Sequence, residues 1–151
     1  MITLCFGLPG TGKTTFVKKH KRNLTLDLGN KNFKDDEARR VVNKKLQEFT
    51  TSLVNIGLVG DVFIDANLEY FDVTHLNPSR IAHVYFAIPS EEELSEMIER
   101  VGKREGTNSN FYKLYKRNGL KWLPEWNVWA NQWKMKLGKD KVTVISRYDI
   151  L

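Results

Sequence analysis

Three glycines punctuate the start of the chain, at Gly7, Gly10 and Gly12, and a Lys13-Thr14 pair follows at once. Residues 7–14 read Gly-Leu-Pro-Gly-Thr-Gly-Lys-Thr and fill every position of the pattern GxxxxGK[ST]. The flanks are what that pattern requires. Before it, Ile2-Thr3-Leu4-Cys5-Phe6 is a short apolar run that reads as a buried strand. After it, Thr15-Phe16-Val17-Lys18-Lys19-His20 can open a helix. The glycines let the backbone curl so that successive N–H groups face an anion. The helix that begins near Lys13 adds its positive end. Gly7, Leu8, Pro9, Gly10, Thr11, Gly12, Lys13, Thr14 and Thr15 are therefore the expected nucleotide-binding segment. In it Lys13 reaches the outer phosphates and the Thr14 hydroxyl is placed for Mg²⁺.

The rest of the chain alternates strand and helix patterns. Strands are expected at about 24–28, 61–65, 81–88 and 142–145, in addition to the first. Helices are expected at 35–56, from Ser90 to about Val101, at 111–118 ended by Gly119, and from Pro124 to a stop at Gly138. A short helix is also expected near 69–76. Such alternation means a parallel sheet with right-handed crossovers and helices on both faces. The expected fold is an α/β P-loop kinase-like three-layer sandwich with a five-stranded parallel sheet. It forms a single domain over 1–151, with a lid at about 100–110. Ligands of such sheets sit outside the carboxyl ends of the strands, so the phosphate loop, Asp27 and Asp65 become neighbours.

Bulk properties narrow the function classes. The 151 residues are 41% hydrophobic, enough for a packed core. No run approaches the ~20 apolar residues that cross a bilayer. No leader pattern opens the sequence and the single cysteine cannot form an internal disulfide, so a reducing cytoplasm is expected. The net charge of +6 is unevenly spread: residues 100–151 hold twelve Lys or Arg against four acids, while 91–99 hold five Glu. A basic field around a triphosphate site suits a phosphorylated or nucleic-acid partner, or only a solvated surface.

Three further features point from binding to transfer. Asp27 ends the second strand and can accept the proton of an attacking hydroxyl, with Asp35 as an alternative. Asp65 ends the third strand and can hold Mg²⁺ or orient the acceptor hydroxyl. Arg100, Lys103 and Arg104 close the fourth crossover helix, where a cation can fold over the γ-phosphate oxygens. Trp126, Trp129 and Trp133 share one helical face and read as core, whereas Trp122 and Tyr112 lie outside it and are better candidates for stacking on bases. His20, His75 and His83 lie apart, with no metal-ligand spacing.

These features together resemble the small P-loop kinases of the polynucleotide 5′-hydroxyl kinase type, over roughly residues 1–118. The family's Asp-Thr-Asn after the third strand corresponds to Asp65-Ala66-Asn67. Its Lys-Arg-Gly-Thr lid run is similar to Lys103-Arg104-Glu105-Gly106-Thr107, with Glu105 inserted. The resemblance implies Asp27 as general base and Arg104 as a ligand of the ATP phosphates. The family's substrate-gripping Arg after strand two has no counterpart in Leu28-Gly29-Asn30; Arg39 or Arg40 could grip only from the next helix. The main expectation is an ATP- and Mg²⁺-dependent kinase whose acceptor is a hydroxyl on DNA or RNA, a 5′-hydroxyl end or a hydroxylated base. The alternatives are a small-molecule nucleoside or nucleotide kinase and a non-catalytic, nucleotide-responsive nucleic-acid-binding module.

Overall fold

The computed structural model describes residues 1–26, 36–57 and 61–151, without the side chains of Asp36 and Arg39. Five strands form one sheet in the order β2-β3-β1-β4-β5, with every neighbouring pair parallel. They are β1 (Ile2–Gly7), β2 (Asn23–Leu26), β3 (Val62–Ala66), β4 (Ile81–Ala87) and β5 (Val142–Ile145). All six residues of β1 are buried, as the central place of its apolar run demands. β2 is an edge strand and largely exposed. Asp27, Leu28, Gly29, Asn30 and Asp35 lie outside the described residues.

Among the described residues four α-helices connect the strands: α1 (Lys13–Lys18), α2 (Asp36–Ile56), α3 (Glu91–Glu105) and α4 (Asn110–Leu137). Both sheet faces are covered, unequally. On one face Ile2, Leu4, Phe6, Ile64, Val84, Phe86 and Val142 pack against Val54 of α2, Leu94, Met97 and Val101 of α3, and Tyr115 and Trp133 of α4. The other face carries a small cluster of Cys5, Ala87, Val17 of α1 and Tyr148 from a C-terminal turn. Burial, and then the neighbouring Asp65, push the Cys5 thiol up to about 12, so it is an inert packing group.

Two expectations about helix ends are corrected. α3 runs through Gly102 to Glu105, and Gly119 and Pro124 do not divide α4, which is one helix of 28 residues. The glycines serve close approach. A Cβ on Gly102 would stand 2.6 Å from the Tyr112 ring, and one on Gly119 would meet Tyr115 at 3.2 Å and Ile98 at 3.4 Å. Pro124 cannot donate to the Leu120 carbonyl four residues back, but both residues are exposed, so water can serve that group. The helix expected near 69–76 is instead two 3₁₀ turns, Leu68–Tyr70 and Val73–His75, begun by Asn67 and Asp72 side chains that accept from the backbone. The Ser90–Glu93 capping box and the Gly138 stop form as expected. Among the described residues, no helix is long and apolar enough to cross a membrane.

Candidate active site

The glycine-rich segment leaves β1 and enters α1 with Gly10 at φ 84° and Gly12 at φ 86°, the left-handed region that favours glycine. Gly10 is doubly constrained: a Cβ there would lie 2.6 Å from the Met97 carbonyl oxygen of α3. What shapes the loop is where its carbonyls go. The Thr11 hydroxyl donates to the Leu8 carbonyl at 2.7 Å. The Tyr115 hydroxyl donates to that of Pro9 at 2.9 Å, and Arg100 Nη1 to that of Gly10 at 3.3 Å. The Tyr148 amide donates to Thr11 at 2.8 Å and the Phe16 amide to Gly12 at 3.0 Å. Five consecutive carbonyls are thus engaged, and among the described residues the N–H groups of Gly10 to Thr14 are left without a protein acceptor. That is the polarity an anion cradle needs.

Parallel pairing of β1 with β3 places Cys5 opposite Asp65, so the carboxylate stands beside the loop. Asp65 is fully buried. The Thr14 hydroxyl donates to its Oδ2, and Lys13 Nζ lies 3.8 Å from its Oδ1. Lys13, Thr14 and Asp65 are therefore brought together as the sequence anticipates, while Thr15 faces solvent from α1. The oxygen donors of Thr14 and Asp65 suit a hard divalent cation that takes its other ligands from phosphate and water. Among the described residues no group of three or more His, Cys, Asp or Glu that could hold a metal ion forms. Asp27, the expected base, follows Leu26, whose partner in β3 is Ala66, but lies outside the described residues.

The arginines separate. Arg100 binds the outside of the loop, through the Gly10 carbonyl, and joins Glu96 at 3.1 Å and Asp149 at 3.4 Å. Arg147 completes the network, 3.0 Å from Glu96 and 2.7 Å from Asp149. Arg104 stands on the last turn of α3, exposed, with its guanidinium 3.9 Å from Glu105. The connection between α3 and α4 is only 106–109.

A cleft of about 570 Å³ opens against Leu8 and Pro9. One wall is the segment after β3, with Asn67, Glu69, Phe71 and Val73; the other is α4, with Phe111, Leu114, Trp122, Glu125, Trp126, Trp129, Gln132 and Trp133. The tryptophan expectation is corrected here. Only Trp133 is core, in edge contact with Phe6 at 5.0 Å. Trp126 and Trp129 are partly exposed and line the cleft beside Trp122, whereas Tyr112 is buried under Gly102. Tyr115, Tyr148, Glu96 and Arg147 were not legible as site residues. Tyr115 and Tyr148 bond the loop from more than 100 positions away, Glu96 reaches it through Arg100 and Arg147 joins that network, and no local pattern marks them.

No protein-family model matches the sequence. No curated protein matches it. Among solved structures, a deoxyadenosine kinase from M. mycoides, with the products dCMP and a flexible dCDP bound, superposes with a TM-score of 0.57 at 13% identity, covering 96% of this chain and 90% of that one. At that identity the likeness shows the fold, which is of the P-loop kinase type, and does not single out the polynucleotide kinases.

Proposed function

We propose that the chain is an ATP-dependent kinase whose acceptor is the hydroxyl of a small, uncharged aromatic molecule, of which a nucleoside is the natural example. The observation that carries this reading is the composition of the cleft. Its described lining contains aromatic rings from Phe71, Phe111 and four tryptophans, two carboxylates, Asn67 and Gln132, and no Lys or Arg. Trp122, Trp126 and Trp129 are partly exposed there, and stacking on exposed aromatic rings stabilises a base by roughly 1–3 kcal/mol. A polynucleotide end would bring phosphates to carboxylates there, with no Lys or Arg among the described lining residues to neutralise them. The nucleic-acid acceptor is therefore set aside in favour of the nucleoside alternative, and the fold neighbour, a nucleoside kinase by name, agrees with that choice.

In this reading the acceptor oxygen forms a bond to the γ-phosphorus while the bond from that phosphorus to the β,γ-bridging oxygen breaks, and ADP leaves. The loop amides and Lys13 receive the phosphates. Asp27 takes the proton of the hydroxyl. Thr14 and Asp65 would hold Mg²⁺, which neutralises phosphate charge when bound. Arg104 is assigned to the γ-phosphate oxygens, with closure at residues 106–109. Arg100 is assigned to holding the loop rather than to the phosphates.

The test is transfer of labelled γ-phosphate to nucleosides, mononucleotides, oligonucleotides and sugars under one set of conditions. Nucleosides should be labelled fastest. Labelled oligonucleotides beside inert nucleosides would overturn the reading.

A further inference from the structure

Tyr115 lies between the two halves of the site and belongs to neither. It is fully buried in α4. Its ring is stacked on Trp122, centroids 5.5 Å apart at 16°, and contacts Phe111 at 6.4 Å. Both of those rings line the aromatic cleft. Its hydroxyl donates to the Pro9 carbonyl of the phosphate loop at 2.9 Å. Gly119 packs against the ring from the next turn, where even a methyl group would stand 3.2 Å from it. One rigid side chain thus backs two rings of the α4 wall and fixes one carbonyl of the loop. Burial pushes the phenol well above its ordinary range, so it remains a donor throughout the working pH range.

We infer that Tyr115 is a positioning residue that couples the two ligand sites, so that a ring seated against Trp122 and Phe111 strengthens phosphate binding through Pro9, and the reverse. This rests on the reading of the cleft as the acceptor site. The coupling is reciprocal, because it is a free energy shared by two binding equilibria. Its size is bounded by the hydrogen bond that transmits it, about fivefold in either affinity.

The experiment titrates the β,γ-methylene analogue of ATP with Mg²⁺ into the whole chain, with and without saturating deoxyadenosine or deoxycytidine, by calorimetry. The wild type should bind the analogue about fivefold more tightly with nucleoside present. In Tyr115→Phe that ratio should fall to about one, while the aromatic wall still binds nucleoside. Trp122→Ala keeps the hydroxyl on Pro9 yet should lose the same ratio, an effect that general loosening of the loop would not produce; it also decides the matter if Tyr115→Phe does not fold. A wild-type ratio of one, or a ratio that survives both substitutions, overturns the inference and leaves the proposed function standing. Failure of every nucleoside to bind the wild type overturns both.

Discussion

The phosphate loop and the aromatic cleft share Leu8 and Pro9 but are built in opposite ways. The loop is written in eight consecutive residues, and its chemistry resides in backbone groups. Distant side chains serve it only by holding its carbonyls. The cleft is assembled from α4 and the segment after β3, which are far apart in sequence, and its chemistry resides in side chains. Backbone recognition binds what all triphosphates have in common. Side-chain recognition selects one acceptor. A substitution in the loop should therefore stop chemistry, whereas one in the cleft should change which molecule reacts.

The sharpest way to break that contrast is Lys13→Ala. Lys13 rests against buried Asp65, where the outer phosphates are expected. Its loss should lower kcat/KM by about a thousandfold or more, the scale of removing one preorganised electrostatic group. Nucleoside binding, followed by tryptophan fluorescence, should hardly change. Activity within tenfold of wild type would mean that the loop is not the reacting centre.

Next in size is a contrast inside α4 itself. Trp133 is buried against Phe6, Phe86 and Phe71, so Trp133→Ala should cost about 3–5 kcal/mol in a denaturant titration, with little change in acceptor preference. Trp129, four residues earlier, is partly exposed in the cleft. Trp129→Ala should raise the nucleoside KM by roughly tenfold, the worth of one stacked ring, and leave stability nearly intact. Equal losses of stability from the two would return the tryptophan stripe to the core.

The same contrast explains what could be read in advance. The loop, the five parallel strands and Asp65 were legible, because each depends on local pattern: a filled motif, apolar runs and alternation of period. The cleft was not. Gly119 and Pro124 are ordinary signs of a helix end, and breaking α4 there separates Phe111 and Trp122 from Trp126 and Trp129. The packing of Gly119 on Ile98 of α3, which is tertiary, overrides that sign. The regular spacing of the tryptophans gave their shared face but not what lies opposite. On a helix at the edge of a cleft, one stripe can begin in the core and end in solvent.

The smallest expected effect concerns the rear of the loop. Tyr148 donates its amide to Thr11 and its hydroxyl to the Phe6 carbonyl at 2.6 Å, and it is buried. The ion pairs around it are exposed: Asp149 binds Arg147 and Arg100 at the surface. Arg147, chiefly through its hydrogen bond, holds Asp149 below the ordinary carboxylate value. A carboxylate lowered by folding contributes stability that is complete above its unfolded value, about 3.9, and is lost as pH falls through the lower folded one. Because these charges are screened, that contribution should be small at neutral pH. Asp149→Asn should therefore shift the unfolding midpoint slightly in low salt, less in high salt, and not at all in strong acid where Asp149 is already protonated. A shift as large as that of Trp133→Ala, persisting in salt, would mean that the charged network rather than the buried tyrosine braces the phosphate loop.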